Sequence, residues 1–333
     1  MKFKKIIIPV FAVLLVISIF AFSFFDSMMS DADGSTFAMG SPVTVKIYGE
    51  RNGDEMIEPA LETVKLLEKT YLSHYLSGSA ISILNKENEI VSNDWFTDYI
   101  KKCIDLSDKS ERFTLFGGEL KELWKIEEGG YVPSDNEILQ ALENLKGASV
   151  KIENNTIITK GGKLDLGALG KGTACDEVIG YLKKHNVENA LVTVGGSVGV
   201  MGDDSYTIGV RDPFGGQNEY FAILNVTNCF ISTSGDYEKF FERDGIRYSH
   251  IFDATTGKPV QNDITSVTVV AENGTLSDFL STAIFAEGIE NGMMLADEFG
   301  AEVIIVKKDK SVLVSDGIKD KLTINDDSFS VIE

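Results

Sequence analysis

Apolar and polar positions divide the chain into an amino-terminal apolar run and a long region of short, regular elements. Ile6 to Phe25 carries no charge and follows Lys2, Lys4 and Lys5. A run of that length behind a basic flank predicts an uncleaved single membrane anchor, with a cleaved secretory signal as the alternative. Ala21-Phe22-Ser23 is a poor cleavage site, and no cysteine follows the run to carry a lipid. The basic flank stays in the cytoplasm, so the chain beyond about residue 30 is expected outside it. Residues 1–25 are thus the anchor or signal. Residues 26–36 read as a polar linker, and 37–333 as one domain with no internal boundary.

Within that domain Val43, Val45 and Ile47 alternate with polar residues and predict a strand. Residues 55–72 and 96–108 carry apolar positions at helical spacing. Ser134-Asp135-Asn136-Glu137 is a capping box ahead of Ile138, Leu139, Leu142 and Leu145, with a helix stop at Gly147. Val150 and Ile152, then Asn154-Asn155, then Ile157 and Ile158 predict a hairpin. A helix is expected from Gly167 to Lys184, one opening at Thr275, and one over 289–299. Strands are expected at 190–194, 206–211, 220–226, 229–233, 246–252 and 265–271, and near 302–306 and 311–314. Runs of strands with helices inserted between groups predict α+β rather than alternating α/β.

Composition adds limits. The 333 residues are 43% hydrophobic and 25% charged, which allows a real core and excludes disordered and collagen-like classes. A net charge of -20 excludes nucleic acid as a partner, because phosphate backbones need a basic face. Any phosphate-bearing ligand must be held by local devices: a metal ion, backbone N–H groups or a few placed cations. Cys103, Cys175 and Cys229 are widely spaced and form no CxxC, so they read as small buried hydrophobes.

Four segments carry candidate chemistry. In Thr275-Leu276-Ser277-Asp278-Phe279-Leu280-Ser281-Thr282, the apolar positions form one stripe, and Asp278 and Thr282 share a face nearly opposite it. A carboxylate beside a hydroxyl suits a hard cation such as Mg²⁺. Equally, Thr275-x-x-Asp278 is a capping box, in which Asp278 would only cap. Gly167, Gly170 and Ala174 leave room for a close approach at a helix start, where N–H groups and Lys171 suit an anion, or where helix and sheet pack tightly. The strand ending in Val194-Gly195-Gly196-Ser197 makes a plain turn or a close approach to a ligand. His250 lies in a hydroxyl-rich strand region after Ser232-Thr233-Ser234-Gly235-Asp236-Tyr237, ahead of a turn from Asp253 to Gly257 whose groups can orient it. GxSxG, HExxH, GxGxxG and the P-loop pattern are absent.

In chain order, Met39-Gly40-Ser41, Leu72-Ser73-His74-Tyr75 with Ser79, Asp165-Leu166-Gly167-Ala168 with Gly170-Lys171-Gly172, Val194-Gly195-Gly196 and Arg211-Asp212-Pro213 precede the STSGDY stretch at 232–237. Tyr248-Ser249-His250 with Asp253 and Thr256-Gly257, and then Asp278-x-x-x-Thr282, complete the set. From Ala38 to the carboxyl end this order resembles the FAD:protein FMN transferases, the ApbE family. The resemblance implies a mixed-sheet α+β, ApbE-like (T-fold-like) architecture with FAD in a cleft. It implies Mg²⁺ ligands at Asp278, Thr282 and the Ala168 carbonyl, and a base at His250 or Asp278. Met39 and Tyr75 would line the flavin, with Lys171, Gly195, Gly196, Ser232, Thr233 and Ser234 near the cofactor. The implied reaction moves FMN from FAD to a Thr or Ser hydroxyl of an exported or membrane-bound redox protein and releases AMP. Hydrolysis of FAD to FMN and AMP, and flavin binding without catalysis, are the alternatives; Tyr75 leans toward transfer. Two departures stand out. The family's Asp is missing from Glu111-Arg112-Phe113-Thr114-Leu115-Phe116, and Ser197 follows Gly195-Gly196 where Asp is frequent.

Overall fold

A computed structural model describes residues 30–332. The expected anchor over 1–25 lies outside the described residues. Among the described residues no helix is long and apolar enough to cross a membrane.

Nine strands form the central sheet, and they lie in it in their order along the chain. They are β1 (Ser30–Ala38), β2 (Ser41–Glu50), β3 (Asn189–Val194), β4 (Ser197–Met201), β5 (Cys229–Gly235), β6 (Ile264–Ala271), β7 (Glu302–Lys307), β8 (Ser311–Val314) and β9 (Ser330–Ile332). Every neighbouring pair is antiparallel except β8 and β9, which makes the sheet mixed. Everything else is inserted between consecutive strands. Helices α1 (Gly53–Leu67) and α2 (Gly167–Lys184) fall between β2 and β3, and α3 (Gly274–Glu287) between β6 and β7.

The period-2 alternation of the strands sorts two cores. Val303 and Ile305 of β7 face the helices, whereas Ile304 and Val306 face a small antiparallel sheet built by Tyr206–Arg211, Tyr220–Val226 and Leu322–Ile324. Both faces of the central strands are therefore covered, which is why they read as nearly continuous apolar runs.

Several expected local features hold. Ser134 and Glu137 form both bonds of the capping box. Asn154 and Asn155 adopt φ of 47° and 62°, the left-handed pair that a two-residue hairpin turn requires. Three expectations are corrected. Residues 30–36 are not linker but most of β1. Its inward positions are Ala32, Gly34, Thr36 and Ala38, too small to show as hydrophobic alternation, and a β-carbon on Gly34 would stand 2.3 Å from Ile57 Cγ2. The expected strand over 246–252 is two short strands, Ile246–Ser249 and Phe252–Asp253, which pair with different partners and leave His250 at the bend between them. Finally, α3 has no open polar face. Ser277, Asp278 and Ser281 are as buried as its apolar stripe, because α2 packs against Asp278 and β5 against Ser277 and Ser281.

The contact between α2 and α3 is made backbone to backbone. A β-carbon on Gly172 would lie 1.9 Å from the Gly274 carbonyl oxygen, and one on Gly274 would lie 2.2 Å from that of Gly172. Neither helix can yield without moving the sheet beneath it. Gly172→Ala is expected to destabilise the fold by about 3 kcal/mol or more, at the upper end for overpacking. Urea unfolding midpoints of variant and parent check this, and a difference under about 1 kcal/mol would contradict it.

Candidate active site

Asp278 stands where α2 and α3 cross. Its carboxylate is 3% exposed, and Oδ2 accepts the Gly172 N–H at 2.9 Å. It is not a helix cap: Asn273 caps α3 by accepting the Leu276 N–H, and Thr275 donates its hydroxyl to Asp176. Thr282 follows one turn on, its hydroxyl 3.0 Å from Ser234 Oγ. Gly172 N–H is the amide whose regular helical partner is the Ala168 carbonyl. Sharing that donor with Asp278 leaves the Ala168 oxygen with acceptor capacity. Asp278 Oδ1 has the Lys171 ammonium at 3.8 Å, beyond hydrogen-bond length.

A hard divalent cation fits this set. The donors are all oxygen, and one of them is a buried carboxylate oxygen short of partners. Among the described residues no three His, Cys, Asp or Glu side chains converge in a metal-binding group. Any cation here would therefore rest on a single carboxylate, neutral oxygens and its ligand's phosphates.

Three lysines act on this part of the chain, and one of them stands beside Asp278. Lys171 leaves the first turn of α2, bonds the Gly167 carbonyl at 3.2 Å, and is held protonated chiefly by Asp278. Lys121, on a short helix over Gly118–Trp124, pairs with buried Asp165 at 2.5 Å, and Asp165 Oδ1 accepts the Gly167 N–H at 2.7 Å. Burial alone would raise the Asp165 pKa, but the charges of Lys121 and His74 outweigh it and hold it low. Lys239 is the third cation, paired with Glu127 at 2.9 Å.

His250 faces all three lysines. Its Nδ1 lies 3.2 Å from the Lys239 carbonyl, which can only accept, so Nδ1 carries the proton and Nε2 the free lone pair. Burial first, then Lys121, Lys239 and Lys171, push the imidazole down to about 3. The unfolded chain therefore takes up this proton first as pH falls; the stabilising contribution is complete above about pH 6.5 and lost toward the folded value. The Asp253–Gly257 turn does not orient the ring, as had been expected. Asp253 instead accepts from Thr255 and pairs with Arg112 at 2.5 Å.

The remaining expected residues separate. Met39, with φ of 54°, caps the β1–β2 turn, and a β-carbon on Gly170 would meet its Cε at 3.0 Å and Leu72 Cδ1 at 3.5 Å. That places Met39 and the segment leading to Tyr75 over the first turn of α2. Tyr75 is 59% exposed and donates its hydroxyl to Glu68. Gly195, with φ of 56°, turns beside Ser41 and Lys171, and the Gly196 carbonyl accepts the Thr233 N–H at 3.1 Å. Ser234 reaches the Asp278–Thr282 region. Ser232 does not: it is fully buried, bonded to Ser197 and Ser277 between sheet and helix. Thr233 alternates to the other face and bonds Thr268. Sequence pattern assigns no role to Lys121, Lys239 or Asp165. Only Asp165 carried a usable signal, standing two residues before a glycine-started helix.

Comparison with known proteins places the chain in a family. Residues 39–305 match the ApbE family. A Treponema pallidum (strain Nichols) protein named FAD:protein FMN transferase is 31% identical over 321 residues, covering 87% of this chain and 88% of its own length. The crystal structure of the ApbE protein from Thermotoga maritima superposes with a TM-score of 0.80 at 29% identity, covering 88% of this chain and 99% of that one. The flavin transferase ApbE from Vibrio cholerae gives 0.76 at 25% identity, with the same shares covered. With the mixed α+β fold, the crossing at Asp278 and a family match over most of its length, this chain belongs to the ApbE family.

Proposed function

We propose that this protein transfers FMN from FAD to a Thr or Ser hydroxyl of an exported or membrane-bound redox protein, releasing AMP. The observation that carries the reading is a buried carboxylate, Asp278, with the Lys171 ammonium 3.8 Å away, and a neutral His250 in the field of Lys171, Lys121 and Lys239, in a chain of net charge -20. Such a chain has no general affinity for a diphosphate, and this cleft is where it could hold one. Relatives at about this identity bear the transferase name.

Each residue has a task in that reaction. Lys171 and Lys121 bind and orient the diphosphate of FAD. Met39 and Tyr75 bracket the flavin at the first turn of α2. His250 Nε2 takes the proton of the acceptor hydroxyl as its oxygen bonds to the FMN phosphorus, and the phosphorus–oxygen bond to AMP breaks. Asp278, Thr282 and the Ala168 carbonyl would hold Mg²⁺. When bound, that ion neutralises phosphate charge that an acidic protein cannot. Asp278 is then unsuited to be the base, which leaves His250. The charge-free segment from Ile6 to Phe25 would hold the catalytic domain to the membrane, outside the cytoplasm.

The test is the intact mass of an exported flavin-acceptor domain after incubation with the protein, FAD and Mg²⁺. A gain equal to FMN less water, matched by AMP and abolished by EDTA, is expected. AMP without a mass gain on any acceptor would point to hydrolysis instead. Retained FAD with neither product would overturn catalysis.

A further inference from the structure

A second cavity, of about 700 Å³, lies behind the segment that carries His250. Ser249 lines it, and so do Asp236 and Tyr237, which directly follow β5. It lies between the Arg211–Gly215 turn and the hairpin of Phe240–Arg243 and Ile246–Ser249.

Two residues that line it carry a buried polar atom without a partner. Thr265 is 2% exposed, and its Oγ1 has no hydrogen-bond partner among the described residues. Arg211 Nε is likewise buried without a partner, while its guanidinium lies 4.7 Å from the centre of the Tyr237 ring. Buried polar atoms are rarely left unsatisfied, because an orphaned donor keeps its full desolvation cost. The charge is also unusual for this chain: Arg247 pairs with Asp236 and Glu242 at 3.4 Å each, which leaves Arg211 and Lys308 as the cations of the lining without an ion pair among the described residues. Its mouth is apolar. Phe214, Phe240 and Ile246 are 45%, 39% and 45% exposed there. An apolar rim around a cationic, partly unsatisfied interior is the form of a docking site for a protein segment rather than of a solvated groove.

We propose that this cavity receives a segment of the acceptor protein in which a carboxylate side chain lies beside an apolar one. The carboxylate would pair with the Arg211 guanidinium and the Lys308 ammonium, and the apolar neighbour would cover Phe214 and Phe240. This rests on the transferase reading, since the partner is the protein that receives the flavin. Docking one residue away from His250 in sequence would bring the acceptor hydroxyl toward Nε2 without using the FAD cleft itself.

The experiment uses the full-length chain, FAD, Mg²⁺ and an exported acceptor domain that the parent protein flavinylates by mass. Arg211→Gln is expected to raise KM for the acceptor at least about tenfold, with KM for FAD and kcat at saturating acceptor within about twofold. The parent's kcat/KM for acceptor should fall between about 50 and 300 mM salt, and Arg211→Gln should flatten that slope. Lys308→Gln is expected to raise the acceptor KM severalfold while leaving the unfolding midpoint unchanged, because Lys308 is exposed. It carries the test if Arg211→Gln fails to fold. An unchanged acceptor KM and salt slope would overturn the proposal, as would a change confined to FAD. Absence of transfer by the parent protein is a separate result, seen before any variant is made, and overturns the transferase reading instead.

Discussion

Asp278→Asn is expected to lower flavin transfer about a thousandfold while the protein stays folded. The magnitude follows from removing the one carboxylate of the cation-binding set: several kcal/mol of charge stabilisation are at stake, and about 1.4 kcal/mol is a factor of ten in rate. Asparagine is the informative replacement because the site is buried. The carboxylate accepts the Gly172 N–H, and an amide oxygen can do the same. The backbone contact between α2 and α3 then keeps its partner. Asp278→Ala would orphan that amide and open a void where the helices cross, mixing a folding defect of about 1–3 kcal/mol with the chemical one. Transfer rate by intact mass and the unfolding midpoint, measured together, separate the two. Near-parental transfer by Asp278→Asn would remove Asp278 from the chemistry. A melting temperature lowered by more than about 5 °C would show that its charge stabilises the fold. Thr282→Val should have the smaller effect, since it removes a neutral donor that Ser234 also engages.

The burial of Asp278 is also where the sequence was hardest to interpret. Helical spacing placed Asp278 and Thr282 on one face, and that is correct. It also placed the face opposite an apolar stripe, and in an isolated amphipathic helix that face would be wet. The polar side of α3 is instead covered by β5 and, at Asp278, by α2, and the covering by α2 depends on glycines. Gly172 and Gly274 make no hydrophobic signal, yet their lack of side chains is what lets two helices touch through their backbones. The same blindness hid β1, whose inward positions are small, and β4, which pairs across the Gly195-Gly196 turn with a glycine at its own centre. Strands with large alternating residues, such as β2 and β7, were legible because burial of a β-branched side chain has to show in composition.

For the site, the legible part was again the part with a local cause. A glycine-started helix followed by Lys171 is visible in sequence because the glycines and the lysine lie within one turn. The pairing of Lys121 with Asp165 is not visible, since it joins residues 44 positions apart through a short helix without periodicity. The orientation of His250 followed the same rule. The nearby Asp253 turn looked able to hold the ring, but the Lys239 carbonyl holds it, brought there by the hairpin of Phe240–Arg243 and Ile246–Ser249. Hairpin register, not the adjacent turn, aims the free nitrogen.

That orientation leads to the second large effect. His250→Asn is expected to reduce kcat about 10²- to 10⁴-fold, the range for a positioned general base, with little change in stability. Asparagine can still donate to the Lys239 carbonyl but has no basic nitrogen. The pH profile distinguishes this from a structural role. In the free protein, burial and then Lys121, Lys239 and Lys171 hold the imidazole down to about 3. The acid limb of kcat/KM, which reports the free protein, should therefore lie far below pH 6.5. A base so depressed is a weak one, and bound FAD supplies the correction. Its diphosphate lodged among those lysines offsets their positive field, so protonation of His250 becomes easier and its pKa rises. The acid limb of kcat, which reports the complex, should lie at higher pH than that of kcat/KM, and His250→Asn should remove it. Side-chain NMR of His250 with and without FAD would follow the same rise directly. Coincident limbs would mean that the diphosphate does not sit among the lysines. A near-parental kcat for His250→Asn would mean that the acceptor proton leaves by another route.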